Sequence, residues 1–232
     1  REAPTMNRRF SRRIWLTLAV IVGSVLMVFE QSPASLWAEP GTATRVESSR
    51  TSARYRIDAG QSRFIVRAFA GGFLSALAHD HTIAIREFTG ETDFTYGTVE
   101  PASLQLTIKA GSLAVTDKIS VKDREKIETT MRDEVLEISK YPEIGFKSSS
   151  VSASKTGEGQ YQARIAGEIT LHGVSRPLTI NTRLEFGDNS LRAQGGFTLK
   201  QSSFGIKPVS VAGGTIKVKD ELKFTFDIVA HP

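Results

Sequence analysis

From Phe64 onward the chain keeps returning to an alternation of apolar and polar positions, which puts successive side chains on opposite faces of an extended strand. Leu104, Leu106 and Ile108 alternate with Gln105, Thr107 and Lys109. Ile165, Ile169 and Leu171 share one face, opposite Arg164, Glu168 and Thr170. Leu178, Ile180, Leu184 and Phe186 share another, opposite Thr179, Asn181, Arg183 and Glu185, and Leu222, Phe224, Phe226 and Ile228 repeat the pattern against Lys223, Thr225 and Asp227. Turn signals fall between the runs at Gly157 with Gly159, His172-Gly173, Gly187-Asp188-Asn189 and Gly213-Gly214. About eight strands are predicted, and they are antiparallel, because connections this short cannot make parallel crossovers.

One segment departs from the two-residue period. Between Ser120 and Ser139, Ile127, Met131 and either Val135 or Leu136 recur at helical spacing among charged residues, so an amphipathic helix is predicted there. Tyr141-Pro142 is expected to end it, since the residue before a proline is pushed out of the α region. Eight strands and a helix can close into a barrel whose interior holds one elongated ligand. A two-sheet sandwich fits the same periodicity.

The first residues follow a different plan. Arg8, Arg9, Arg12 and Arg13 precede a run from Ile14 to Phe29 that carries no charge, and Ala34 and Ala38 stand in the polar stretch after it. This is the order of a secretory signal, with either alanine suited to the position before a cleavage point. An uncleaved anchor is the rival, since the run is a little short of the ~20 residues that span a bilayer. Ser11-Arg12-Arg13 also resembles a twin-arginine signal. Met6 is a plausible start, so residues 1–5 carry no weight. The expected layout is a signal peptide or anchor over residues 1–38, a polar linker over 39–53, and one β domain over 54–232, placed in the periplasm or outside the cell.

Charge and composition narrow the partners. The net charge of +5 includes five Arg and two acidic residues within residues 1–38, so +5 less +3 leaves the rest near +2. That is too little for a nucleic-acid footprint. There is no cysteine, so no disulfide stabilises the fold and no thiol serves as a nucleophile. Lys118, Lys122, Arg124 and Lys126 are offset by Asp117, Asp123, Glu125 and Glu128, which marks a solvated helix face and not a membrane-binding one.

Four motifs, in order, carry a family likeness. They are Tyr55-Arg56-Ile57-Asp58 with Ser62; Phe88-Thr89-Gly90-Glu91 ahead of Phe94; Lys140-Tyr141-Pro142-Glu143-Ile144 with Phe146 and Ser148; and the run from Gly167 to Leu178 that contains His172-Gly173, followed by Ser203-Phe204-Gly205-Ile206. In this order and spacing the chain resembles the YceI-like family of exported lipid-binding proteins from Arg54 to Ala230. The resemblance implies a lipocalin-like, eight-stranded antiparallel barrel with a helix beside it, holding an isoprenoid or other lipid chain in a hydrophobic tunnel. Phe64, Phe94, Phe146, Phe186, Phe197, Phe204, Phe224 and Phe226 would then line the interior, although for any one of them taken alone a core role is the commoner one. The implied bound molecule is an isoprenoid lipid, a quinone or a fatty acid. Transient membrane contact and a homodimer are compatible with this reading, and no metal or catalytic residue is required.

Ala78-His79-Asp80-His81 departs from that family pattern. If the segment is extended, both imidazoles point one way and Asp80 the other. They could touch a ligand head group, or hold a metal if His172 or a carboxylate converged on them to complete a ligand set. Two rivals to the carrier follow: a small metal-dependent module or enzyme built on His79 and His81, and a structural envelope protein with a filled barrel. Asp58 and Ser62 invite comparison with a triad, but such residues at a strand start more often bond to nearby backbone.

Overall fold

The alternating segments pair into one antiparallel sheet that closes on itself. The structure is a computed structural model that describes residues 52–72, 79–95 and 97–232; the expected signal segment and residues 39–51 of the expected linker lie outside them. The strands are β1 (Ser52–Gly71), β2 (His81–Ile85), β3 (Phe88–Thr95), β4 (Val99–Lys109), β5 (Leu113–Val115), β6 (Glu143–Gly157), β7 (Gln160–Leu171), β8 (Val174–Phe186), β9 (Leu191–Lys200), β10 (Ser210–Val211) and β11 (Ile216–His231). Around the wall the order is β1, β11, β9, β8, β7, β6, β4, β3 and back to β1, an eight-stranded barrel. Closure decides for the barrel over the sandwich. β1 begins at Ser52, ahead of the expected boundary at Arg54, because Ser52 and Ala53 already pair with Thr95 and Phe94.

The three short strands extend the wall at one end. β3 pairs with the first half of β1, while β2 takes over opposite Ile65–Ala68 and carries β5 on its far side. An open edge on β5 is avoided because the Glu128 carboxylate accepts a hydrogen bond from Val115 N at 2.8 Å.

Two irregularities keep apolar side chains inside. On β1 the inward residues are Tyr55 and Ile57, then Phe64, Val66 and Ala68, so the parity changes between them. A bulge between Asp58 and Arg63 makes the change. Asp58 accepts from Gly60 N and Gln61 N, Ser62 Oγ donates to Asp58 O at 2.6 Å, and Val229 N donates to Ser62 Oγ at 2.9 Å. The Asp58 and Ser62 pair is thus a brace for the bulge. A shift between Ser148 and Ser150 does the same on β6, after Phe146 and before Val151. At Gly167 and Gly195 the wall has no side chain because rings cover it: an added Cβ would lie 2.7 Å from Phe146 Cζ and from Phe226 Cζ respectively.

The helix α1 (Val121–Thr130) starts on a serine N-cap, with Asp123 N donating to Ser120 Oγ and Ser120 Oγ donating to the Asp123 carboxylate. It then underwinds into a π turn over Met131–Val135. The wider turn explains why both Val135 and Leu136 face the barrel, where helical spacing allowed only one of them. The helix stops at Leu136, before the expected Tyr141-Pro142, because Glu137 takes a left-handed conformation (φ 45°) and its carbonyl receives Lys140 N and Tyr141 N.

Candidate functional site

The inward faces of the barrel strands enclose a cavity of about 740 Å³. On β11 it is bordered from Val218 to Ala230, a stretch that at ~3.3 Å per residue and ~40° of strand tilt covers on the order of 30 Å along the barrel axis. A sphere of the same volume would be only about 11 Å across, so the cavity is a tunnel and not a round pocket. Every apolar face predicted from the alternation contributes to it, including Leu104, Leu106, Ile108, Ile165, Ile169, Leu171 and Leu178.

The two ends differ in chemistry. One is lined by aromatic side chains in tilted and edge-on contact: Tyr55 and Phe94 lie 5.1 Å apart, Phe94 and Phe186 5.0 Å, and Tyr161 and Phe186 5.6 Å. Tyr161 OH also donates to Gly97 O in the β3–β4 turn. The other end carries α1 and the polar border of the cavity, with His79, His81, Asp123, Lys126, Glu134 and Lys200. Between them Phe64 meets Phe88, Phe197, Phe224 and Phe226 edge-on at 6.1–6.5 Å, and Phe197 stacks on Phe224 at 4.7 Å. The tunnel therefore has an aromatic floor, an apolar wall and a polar mouth.

Of the eight phenylalanines singled out, Phe64, Phe94, Phe146, Phe186, Phe197, Phe224 and Phe226 border the cavity. Phe204 does not. It is 1% exposed and sits on the short turn after β9, where its carbonyl, not its ring, makes the notable contact.

The histidines separate into two groups. His79 and His81 both border the mouth, while Asp80 turns away and accepts from Ala70 N at 3.0 Å. His81 Nδ1 lies 2.9 Å from Asp117 Oδ2, and Thr82 N donates to the same carboxylate. The carboxylate orients the ring and draws the proton to Nδ1, leaving Nε2 for a ligand. His172 is elsewhere in role: it does not border the cavity, Nε2 is 2.8 Å from Glu137 Oε2, Nδ1 is 3.2 Å from Phe204 O, and its ring packs on Tyr141 at 4.4 Å. It is a structural tie, which corrects its reading as a head-group or metal contact. Among the described residues no three His, Asp or Glu side chains converge as a metal site would need.

Other cavity residues escaped the sequence reading. Lys126, Glu134 and Lys200 reach the mouth only through the placement of α1 and the strand ends, so no local pattern marked them as cavity residues. Thr182 had a visible signal, a polar residue breaking the inward column Leu178, Ile180, Leu184 and Phe186.

The comparisons with known proteins agree with this architecture. Residues 55–230 match the sequence profile of the YceI-like domain. The chain is similar to a UPF0312 protein of Pseudomonas putida (strain W619), 26% identical over 76% of this chain and 88% of that protein. It is also similar to a UPF0312 protein of Pseudomonas syringae pv. tomato, 28% identical over 61% of this chain and 70% of that one. Among solved structures, Burkholderia cenocepacia BcnA superposes with a TM-score of 0.54 at 19% identity, over 75% of this chain and 98% of that chain, a likeness of fold. With the profile covering nearly all of the closed barrel, the chain belongs to the YceI-like family.

Proposed function

We propose that the barrel is a carrier that takes up one long apolar chain, an isoprenoid lipid, an isoprenoid quinone or a fatty-acid-like lipid, and holds it away from water in the periplasm or outside the cell. The observation that carries this reading is the tunnel. Its 740 Å³ is several times the ~150 Å³ cavity that deletion of one large core side chain leaves. Such a space is a compartment and not a packing fault. A ligand repays it, since each CH2 withdrawn from water contributes about 0.8 kcal/mol and a long chain needs few polar contacts. The polar mouth suits a head group, with His81 held in place by Asp117. Export, read from the arginine-rich start and the apolar run after it, sets the carrier where a lipid cannot diffuse freely between membranes.

The filled-barrel alternative has the open tunnel against it. The metal-dependent alternative finds no third ligand for His79 and His81 among the described residues. Native mass spectrometry of protein purified from its own host, followed by organic extraction, tests the carrier: one lipid per chain is expected, and protein that never carries a lipid in any growth condition would overturn it.

A further inference from the structure

Charge is unevenly spread along the chain. Residues 52–199 carry 18 Lys and Arg against 18 Asp and Glu, whereas the next twenty, from Lys200 to Lys219, carry four Lys and no acid. The barrel brings this segment to the mouth, where Lys200, Ile206, Val209, Ser210 and Val218 border the cavity. Its hairpin, β10 with the start of β11, stands at the margin of the wall, since among the described residues β10 pairs only with β11. The Gly213-Gly214 turn of that hairpin is exposed.

The lysines face outward. Lys217 and Lys219 flank Val218, which faces the cavity, and an added Cβ at Gly71 would lie 3.1 Å from Lys219 Cγ and 3.7 Å from Lys217 Cγ, so both stems run over the outside of the end of β1. Lys207, Lys217 and Lys219 are exposed, and none has an ion-pair partner among the described residues. Elsewhere on the wall Arg54, Arg56, Lys109 and Arg192 each pair with a carboxylate. Arg67 and Lys223 extend the charge, directly opposite each other on β1 and β11, a like-charge pair that repels unless an anion meets it. Of the acids nearby, Asp80 accepts from Ala70 N, Asp220 accepts from Ser202 N, and Glu221 stands opposite Lys200. Six cations therefore stand against three acids, two of which are engaged by backbone donors. Beside the lysines, half-buried Phe69, Val209 and Ile216 line a small recess with Lys217, and the Arg67 guanidinium lies 5.4 Å over the Phe69 ring.

We infer that this lysine face docks on an anionic bilayer and sets the tunnel mouth against the lipid surface. Charge complementarity selects the anionic surface, because each lysine near one strengthens binding by roughly fivefold, an effect that fades beyond a Debye length. Position selects a bilayer over an acidic protein. The face lies beside the opening through which an apolar chain would pass, and a chain that enters straight from lipid is never exposed to water. That purpose rests on the carrier reading, whereas the contact itself does not. A few lysines with little apolar surface make a reversible contact, which suits a carrier that must leave again.

Co-sedimentation of the full chain with vesicles of phosphatidylcholine alone, or of equal parts phosphatidylcholine and phosphatidylglycerol, tests the docking face. The wild type is expected to bind the anionic vesicles only, and less as salt rises. Replacing three lysines together (Lys207→Gln, Lys217→Gln and Lys219→Gln) should weaken that binding by on the order of a hundredfold. Lys147→Gln, Lys155→Gln and Arg164→Gln remove the same charge from exposed positions on β6 and β7, across the barrel from β11, and should leave binding nearly unchanged. Equal losses in the two sets would overturn the face, and so would a wild type that ignores anionic vesicles, which would leave the lysines to an acidic protein. Native mass spectrometry of the lipid load keeps the two readings apart. Vesicle binding by a protein that never carries lipid would uphold the face and remove the carrier, whereas a loaded protein without vesicle binding would do the reverse.

Discussion

His172 and Glu137, 35 positions apart, meet at 2.8 Å between Nε2 and Oε2, and through this contact three separate motifs of the chain are tied at one point. Glu137 ends the helix, Tyr141 of the Lys140-Tyr141-Pro142 segment packs on the imidazole, and the carbonyl of Phe204 in the Ser203-Phe204 segment lies 3.2 Å from the other ring nitrogen. Gly173 completes the knot, because an added Cβ there would lie 2.6 Å from the Tyr141 ring. The contact fastens α1 and the π turn over the mouth end without entering the tunnel.

His172→Ala is expected to destabilise the barrel by about 1–3 kcal/mol, since it removes a largely buried ring that packs on Tyr141 and bridges the helix end to the Phe204 carbonyl. For a domain of this size each kcal/mol lowers Tm by roughly 2–4 °C. Thermal unfolding followed by circular dichroism measures the change. Retained lipid binding in the folded variant is the companion result, and loss of binding with an unchanged Tm would return His172 to the ligand site.

The Lys140 ammonium, then the His172 imidazole, hold the Glu137 carboxyl below its ordinary range. A carboxyl whose pKa is lower folded than unfolded adds stability that is fully present above the unfolded value, about 4.3, and is lost as pH falls through the folded one. Denaturant titrations of the wild type and Glu137→Gln should therefore converge as pH drops below about 4. A constant gap between the two across that window would show that the Glu137 charge plays no part.

Ser62→Ala removes the side chain that accepts Val229 N inside the β1 bulge. A loss of about 1–3 kcal/mol is expected, seen as a lower urea midpoint with an unchanged m-value. A neutral outcome would mean that water replaces the hydroxyl and that the bulge needs no brace.

Ala193 borders the tunnel between Leu184 and Ile228, its partners on β8 and β11. Ala193→Phe adds a ring to the space and leaves the wall hydrogen bonds in place, so the protein should fold while its lipid load, read by native mass spectrometry, falls sharply. Undiminished loading would place the ligand elsewhere.

His81→Ala separates the mouth histidines from metal chemistry. Equal metal content per chain in the wild type and the variant, measured by plasma mass spectrometry, is expected, together with weaker binding of head-group-bearing lipids. A metal present in the wild type and lost from the variant would restore the metal-dependent reading.

Alternation alone determined which residues face inward on β4, β7, β8 and β11, because the side-chain period of a strand is local and a buried face is predominantly apolar. It also placed the helix, and the run of motifs placed the family. Tertiary structure decided what no local rule contains. Closure of β11 onto β1 chose the barrel over the sandwich, since the two differ only in long-range pairing. Bulges at Asp58–Arg63 and Ser148–Ser150 reset parity that an unbroken period would have misread. The spacing of His79, His81 and His172 could not show that two stand at the mouth and the third ties the helix to the wall. The broken column at Thr182 was legible as a polar gap, but only the barrel shows that this threonine is packed inside the wall between β7 and β9, almost wholly shielded from the tunnel, because burial depends on the neighbours that long-range pairing supplies.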